Sequence, residues 1–215
     1  MILLVSAFDG ELASFTERGL SIGTAGDIGE ERVLPCPVGV GPLAAAAGTA
    51  DALARHRARA VVFVGTAGVF PAAAARFPLD SAAVVGETTL VDLAVLRGVS
   101  ERPTLLVDSF VMDDALTRSL TAGADPAGAA RAWVATTSAI TVDDQVAREL
   151  GAAGFELENL ELAAVAAACA RARVPCASVL GVSNVVGSRG RAEWREHHEA
   201  AARAASSLLF SAFGA

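Results

Sequence analysis

Ala60-Val61-Val62-Phe63-Val64-Gly65-Thr66-Ala67-Gly68 is the stretch on which the fold turns. Ala60–Val64 holds no polar side chain and is rich in valine, so it reads as a strand buried on both faces. The Gly-Thr-Ala-Gly that follows reads as the turn ending it. On the N-terminal side, Val33–Val40 is a second extended run, closed by Gly39-Val40-Gly41. Pro42 then sits where a first-turn proline belongs and opens a helix reaching about Arg57. Further upstream, Ile2–Ala7 is an apolar strand, and Asp9 is an N-cap candidate for a helix through Glu17. Downstream, Ala82–Val85, Thr104–Val107, Ala132–Thr136 and Ala177–Val182 read as strands. Leu160–Arg173 and Ala192–Leu209 read as helices. Strands alternating with helices predict an α/β fold in which a mixed, largely parallel twisted sheet is flanked by helices. No linker or repeat divides residues 1–215, so a single domain is expected. In such sheets ligands bind beyond the carboxyl ends of the strands.

Composition narrows the chemistry. All 17 cations are arginine and none is lysine, which excludes Schiff-base chemistry, pyridoxal-phosphate attachment and a P-loop lysine. The formal charge is −7 and no basic run is present, so neither nucleic acid nor an anionic membrane is the expected partner. A small molecule is. Hydrophobic residues make up 53% but aromatics only 5%, a composition that packs helices closely on strands. Cys36, Cys169 and Cys176 have no metal-ligand spacing and fit buried thiols in a reducing cytoplasm. Met1–Ala7 lacks a basic flank and breaks at Asp9, so no signal peptide is expected there. The longest uncharged stretch, Val33–Ala50, carries Pro35, Pro37 and Pro42, which argues against a membrane helix.

The strand ends carry the candidate chemistry. Glycines at Gly39/Gly41, Gly65/Gly68 and Gly181/Gly187 either supply positive φ in tight turns or let the backbone approach a sugar or phosphate. Glu11 is placed in a first helical turn, where it would complement the helix dipole. Glu161 opens a helix whose next nine residues are uncharged; a carboxylate in that setting is either a surface cap or a buried functional group. Asn184 follows an apolar strand, and its carboxamide offers a donor and an acceptor in one plane, which suits the edge of a heterocycle. Ser183 to Arg195 (SNVVGSRGRAEWR) puts Arg189, Arg191 and Trp194 just past that strand, as a solvated helix entry or as part of a site. His56, His197 and His198 read as surface histidines, and Asp143-Asp144 as helix caps. No metal or organic cofactor is implied.

The order GVGP (39–42), GTAG (65–68), ENLELAA (158–164) and GVSNVVGSRGRAEW (181–194) resembles the nucleoside phosphorylase and nucleosidase superfamily. Within it the chain is most similar to the futalosine hydrolases of menaquinone biosynthesis. The resemblance spans nearly the whole chain and implies a three-layer αβα fold, a nucleoside substrate, no cofactor and a homo-oligomer. By position, Glu161 matches the glutamate that holds the ribose hydroxyls, and Asn184 the base-contacting residue, an aspartate in methylthioadenosine nucleosidases. Thr66 and Gly68 match a turn lining the sugar, Asn159 and Leu160 the residues before the ribose glutamate. Glu11, or Asp9 in its stead, matches an acidic cluster that positions water. Gly10 falls where the water-activating carboxylate of the methylthioadenosine enzymes would align, Leu180 where an arginine is usual, and Leu162 where a glycine is.

The chemistry agrees with that resemblance. Cleaving an N-glycosidic bond to a purine builds positive charge on the sugar, which a buried carboxylate stabilises. An asparagine donates to N7 or O6 of a 6-oxopurine, where an aspartate would suit a 6-aminopurine. Phosphorolysis needs an arginine or a nest of N–H donors at the anomeric carbon. Phe8–Glu11 and Val69–Ala72 offer no arginine, so water is the expected nucleophile. Arg189, Arg191 and Trp194 could meet a carboxylate-bearing aromatic tail. The alternatives are a phosphate-dependent purine nucleoside phosphorylase, a methylthioadenosine-type nucleosidase and a non-catalytic nucleoside-binding module on the same fold.

Overall fold

A computed structural model of the protein describes residues 1–122 and 131–214. In chain order, the strands are β1 (Ile2–Ser6), β2 (Gly26–Ile28), β3 (Glu31–Pro37), β4 (Ala60–Val69), β5 (Ala82–Leu90), β6 (Ser109–Val111), β7 (Arg131–Thr136), β8 (Leu157–Asn159) and β9 (Cys176–Val185). The helices are α1 (Ala13–Glu17), α2 (Pro42–Arg55), α3 (Leu93–Leu96), α4 (Asp114–Ala122), α5 (Asp144–Ala152), α6 (Leu162–Ala172) and α7 (Gly190–Gly214).

The sheet is mixed, as expected, and part of it closes on itself. β3, β1 and β4 run parallel, with β2 antiparallel at the edge. β4 pairs with both β8 and β9; β8 pairs with β7, β7 with β5, and β5 returns to β9. The five strands β4, β8, β7, β5 and β9 therefore form a ring of pairings. Two apolar layers cover the faces of the sheet, and a third, smaller cluster gathers Phe70, Ala135, Ala147, Leu150, Phe155 and Val186. Leu3, Val5, Val61, Phe63, Leu180 and Val182 face α2 and α6 on one side. Ile2, Leu4, Val62, Val64 and Val179 pack with Phe15 of α1 and Leu209 of α7 on the other. Alternating β4 residues thus enter opposite layers, which is why its run is apolar throughout.

Several local expectations are corrected. The Gly-Thr-Ala-Gly segment is not a turn: β4 continues through it to Val69. Gly65 and Gly68 do not have positive φ, whereas Gly39 (107°), Gly41 (83°) and Gly187 (132°) do. The first two are glycine for lack of room. Asp9 is no N-cap; residues 9–12 form a 3-10 turn that Phe8 precedes, with no side-chain cap. Thr104–Val107 is not a strand, and the edge position is filled by β6 instead. Leu162, placed by resemblance at a glycine position, is fully buried in the core, as is Leu180. Gly181 explains how the last helix seats: a Cβ there would lie 2.0 Å from the carbonyl oxygen of Ala201 on α7.

Candidate active site

A cavity of about 340 Å³ opens where β1, β4, β8 and β9 end. Its lining includes Glu11, Thr66, Gly68, Asn159, Leu160, Glu161, Asn184, Arg191 and Trp194. The sequence placed all nine in the site. Arg189 stands outside the lining, 78% exposed and paired with Glu193 on the same face of the α7 entry. Asp9 is exposed and does not line the cavity either. Phe8, Val40, Ile140, Glu158, Ser183 and Arg195 line it without having been singled out.

Glu11 enters the cavity because the 3-10 turn, with Glu11 N–H donating to the Phe8 carbonyl, swings its side chain inward. It does not serve a helix dipole. One oxygen accepts from Ala7 N–H at 3.0 Å, and the other from Thr66 N–H at 2.7 Å and Thr66 Oγ1 at 3.1 Å. A Cβ on Gly65 would stand 3.2 Å from that second oxygen, so glycine there leaves the carboxylate its place. Burial pushes the Glu11 pKa up to about 7, and the negative charge of Glu161 adds to the rise against the hydrogen bonds that lower it.

Glu161 stands at the start of α6 and is 4% exposed. Its Oε1 accepts from the N–H of Gly41 at 2.9 Å, a donor that the positive φ of Gly41 aims across the cavity. Burial raises its pKa, and the Gly41 hydrogen bond opposes that rise. Asn159 fixes the frame. Its Oδ1 accepts the N–H groups of Glu161 and Leu162, both at 2.9 Å, capping α6, and its Nδ2 donates to the Thr66 carbonyl at 3.1 Å. Thr66 also receives the Trp194 indole N–H at 3.3 Å. One residue of β4 thus ties both carboxylate-bearing elements to the last helix.

Asn184, 8% exposed, lies at the end of β9. Its Oδ1 accepts from Ser183 Oγ at 3.0 Å, and its Nδ2 donates to the Val185 carbonyl at 3.3 Å. One Nδ2 hydrogen is left over. Gly68 is in register with Asn184, and a Cβ on it would come within 2.8 Å of Nδ2, so only glycine leaves the amide room.

Glu158 is buried on β8. Its carboxylate accepts from Thr137 Oγ1 at 3.2 Å, from Thr141 N–H at 3.2 Å and from Thr141 Oγ1. Burial raises its pKa against these bonds. Among the described residues no group of three or more His, Cys, Asp or Glu side chains is arranged to hold a metal ion.

Two kinds of likeness meet this geometry. A 32% identity over 190 residues, covering 82% of this chain and 81% of the other, relates it to futalosine hydrolase of Thermus thermophilus. In three dimensions it superposes on the 5'-methylthioadenosine/S-adenosylhomocysteine nucleosidase of Neisseria meningitidis in complex with methylthio-immucillin-A (TM-score 0.84, 16% identity, 99% and 98% of the two chains). It also superposes on futalosine hydrolase of Helicobacter pylori (TM-score 0.84, 15% identity, 98% and 96%). At those identities the superpositions concern the fold. The sequence model of the phosphorylase superfamily matches residues 4–213, nearly the whole chain that folds around the cavity, and the protein belongs to that superfamily.

Proposed function

We propose that the protein is a nucleosidase that hydrolyses the N-glycosidic bond of a 6-oxopurine nucleoside, with futalosine as substrate and hypoxanthine as leaving group. The observation that carries this reading is the sharing of one cavity by a neutral amide, Asn184, and two buried carboxylates, Glu11 and Glu161. Glu161 holds the ribose hydroxyls and steadies the cationic sugar of the transition state. Glu11, with a pKa near neutrality, takes the proton of the attacking water. The spare Nδ2 hydrogen of Asn184 goes to N7 or O6 of the departing base.

Two carboxylates in one cavity, with the charge of Glu161 close enough to raise the pKa of Glu11, would repel phosphate from the anomeric carbon, which favours hydrolysis over phosphorolysis. Arg191 at the rim, with Trp194 beside it, supplies the charge for a carboxylate-bearing tail; Arg189, outside the lining and paired with Glu193, is left out of this reading. The proposal extends to a homo-oligomer in the cytoplasm. Val99, Leu105, Val107 and Val111 are each 70% exposed or more and crowd one stretch of chain, the kind of apolar surface that a second copy covers. The three free cysteines fit a reducing compartment. Among the described residues no helix is long and apolar enough to cross a membrane.

Incubating the protein with futalosine and with inosine, with and without phosphate, and following free hypoxanthine tests the reading. Release without phosphate is expected. Release only with phosphate makes the protein a phosphorylase, and binding without release makes it a non-catalytic module.

A further inference from the structure

Asn184 could face a ligand with either end of its amide, and its surroundings fix which one. β4 and β9 hold a bulge here: Ala67 is opposite Val182 and Gly68 opposite Asn184, so Ser183 is an extra residue that re-aims the strand end. Ser183 Oγ has one proton and two acceptors in reach, the Ala67 carbonyl at 3.2 Å and Asn184 Oδ1 at 3.0 Å, so it does not hold the amide by itself. The Val185 carbonyl does. It can only accept, so the amide end 3.3 Å away has to be the NH2, and the second Nδ2 hydrogen is the one left for a ligand.

The orientation of the amide therefore depends on Val185, and two neighbours hold the peptide groups on either side of it. The N–H of Val186 donates to the Val69 carbonyl of β4 at 2.9 Å, as strand pairing requires. The N–H of Val185 meets no strand. β5 is in register with β9 only over residues 179–181, and the residues before β5 follow β9 no further than Val182, which Ser81 and Asp80 bond. Glu193, in the first turn of α7, takes that place: its Oε2 accepts the Val185 N–H at 2.8 Å. Gly190, three residues earlier, lets the helix come this close, since a Cβ there would lie 3.0 Å from Asn184 Nδ2 and 3.1 Å from the Val185 carbonyl oxygen. The other Glu193 oxygen pairs with exposed Arg189 at 3.3 Å, an ion pair of a kind that contributes little. The bond to the backbone is the one with consequence.

We infer that Glu193 is a positioning residue: by holding Val185 it sets which end of the Asn184 amide meets the leaving base. Glu193 is not part of the cavity lining and acts through the backbone. Without its carboxylate the 184–185 peptide is free to turn, the Val185 carbonyl loses its aim, and the amide can rotate to offer Oδ1. An acceptor there suits the amino group of a 6-aminopurine and repels N7 and O6 of a 6-oxopurine. This assignment rests on the nucleosidase reading for what the amide contacts.

The test measures kcat/KM on inosine and adenosine, and calorimetric binding of free hypoxanthine and adenine, for wild type, Glu193→Ala and Glu193→Gln. Glu193→Ala should lose about tenfold or more on inosine while adenosine holds or gains, since small misplacements at a reacting centre cost that much. Hypoxanthine affinity should fall in step, and adenine affinity should not. Glu193→Gln keeps an oxygen for the Val185 N–H and should return the inosine-to-adenosine ratio to within about threefold of wild type. Asp144 accepts Ser188 N–H at 2.8 Å and Ser188 Oγ at 3.1 Å in the same segment, so Asp144→Ala loosens the turn without touching Val185 and should leave the ratio where it was. Equal losses on both nucleosides, no loss on either, no rescue by glutamine, or the same shift in Asp144→Ala would show that Glu193 only fastens the entry of α7. The inference then falls while the nucleosidase reading stands. Wild type that neither cleaves the nucleosides nor binds either base overturns both. Glu193→Met, of similar length but without an oxygen acceptor, replaces Glu193→Ala if that variant fails to fold.

Discussion

Glu11 couples activity to stability through a single proton. A general base must be ionised, so kcat/KM of the wild type should rise with pH through an apparent pKa near 7, and Glu11→Gln should lower kcat by about 10²-fold or more and flatten that limb. Stability runs the other way. The folded-state pKa lies above the ordinary value of 4.5, so the contribution of Glu11 is fully present below about pH 4.5 and is lost as pH rises through about 7. Thermal unfolding followed from about pH 5 to about pH 8 should show a wild-type decline that Glu11→Gln makes shallower; parallel curves for the two proteins would contradict the assignment. Gly68 acts by absence. Gly68→Ala would drive a methyl to within 2.8 Å of Asn184 Nδ2 and 2.7 Å of Val186 Cγ2, so the fold should survive with kcat/KM for inosine reduced by about tenfold or more. At the rim, Arg191→Ala should raise KM for futalosine far more than for inosine, and equal effects would remove it from tail recognition.

Elements were legible in the sequence where a burial pattern persisted over many residues. β4, β7, β9, α2, α6 and α7 stood out because their apolar runs or alanine-rich faces exceed a single turn. Strand ends were not legible. Gly65 and Gly68 look like turn glycines, yet they are strand residues kept small by the Glu11 and Asn184 side chains, partners that only the tertiary fold brings near. Thr104–Val107 has a strand's composition but no neighbouring edge, since β5 pairs with β6 beyond it. The short β8 carries no periodicity in three residues, so Glu158 was not singled out; its place in the cavity lining comes from the pairing of β8 with β4. The arginines of the α7 entry show the same limit: residues two apart on a helix face opposite ways, and that spacing separates Arg189 on the Glu193 side from Arg191 on the cavity side. Packing of α7 itself invites a test. Gly181→Ala would force a methyl to 2.0 Å from the Ala201 carbonyl oxygen, where backbone cannot yield cheaply, so the midpoint of unfolding should drop by several degrees, as expected for overpacking that costs about 1–3 kcal/mol.

At the scale of the whole molecule, a ring of five strands holds the site together. β4 contributes Thr66 and Gly68, β8 leads into Asn159 and Glu161, and β9 ends in Asn184, so paired strands deliver the sugar-facing and base-facing groups to one cavity. The exposed apolar stretch around Leu105, Val107 and Val111 should be covered by a second copy; sedimentation should give a species larger than one 21.7 kDa chain, and Leu105→Asp with Val107→Asp should shift it toward the single chain. Base selection reports most directly on the chemistry that this arrangement serves. The ratio of kcat/KM for inosine over adenosine, measured in phosphate-free buffer for wild type and Asn184→Asp, should favour inosine in the wild type and move toward adenosine by about 10²-fold or more in the variant. A wild type that prefers adenosine, or a ratio indifferent to the substitution, would mean that the amide does not grip the leaving base.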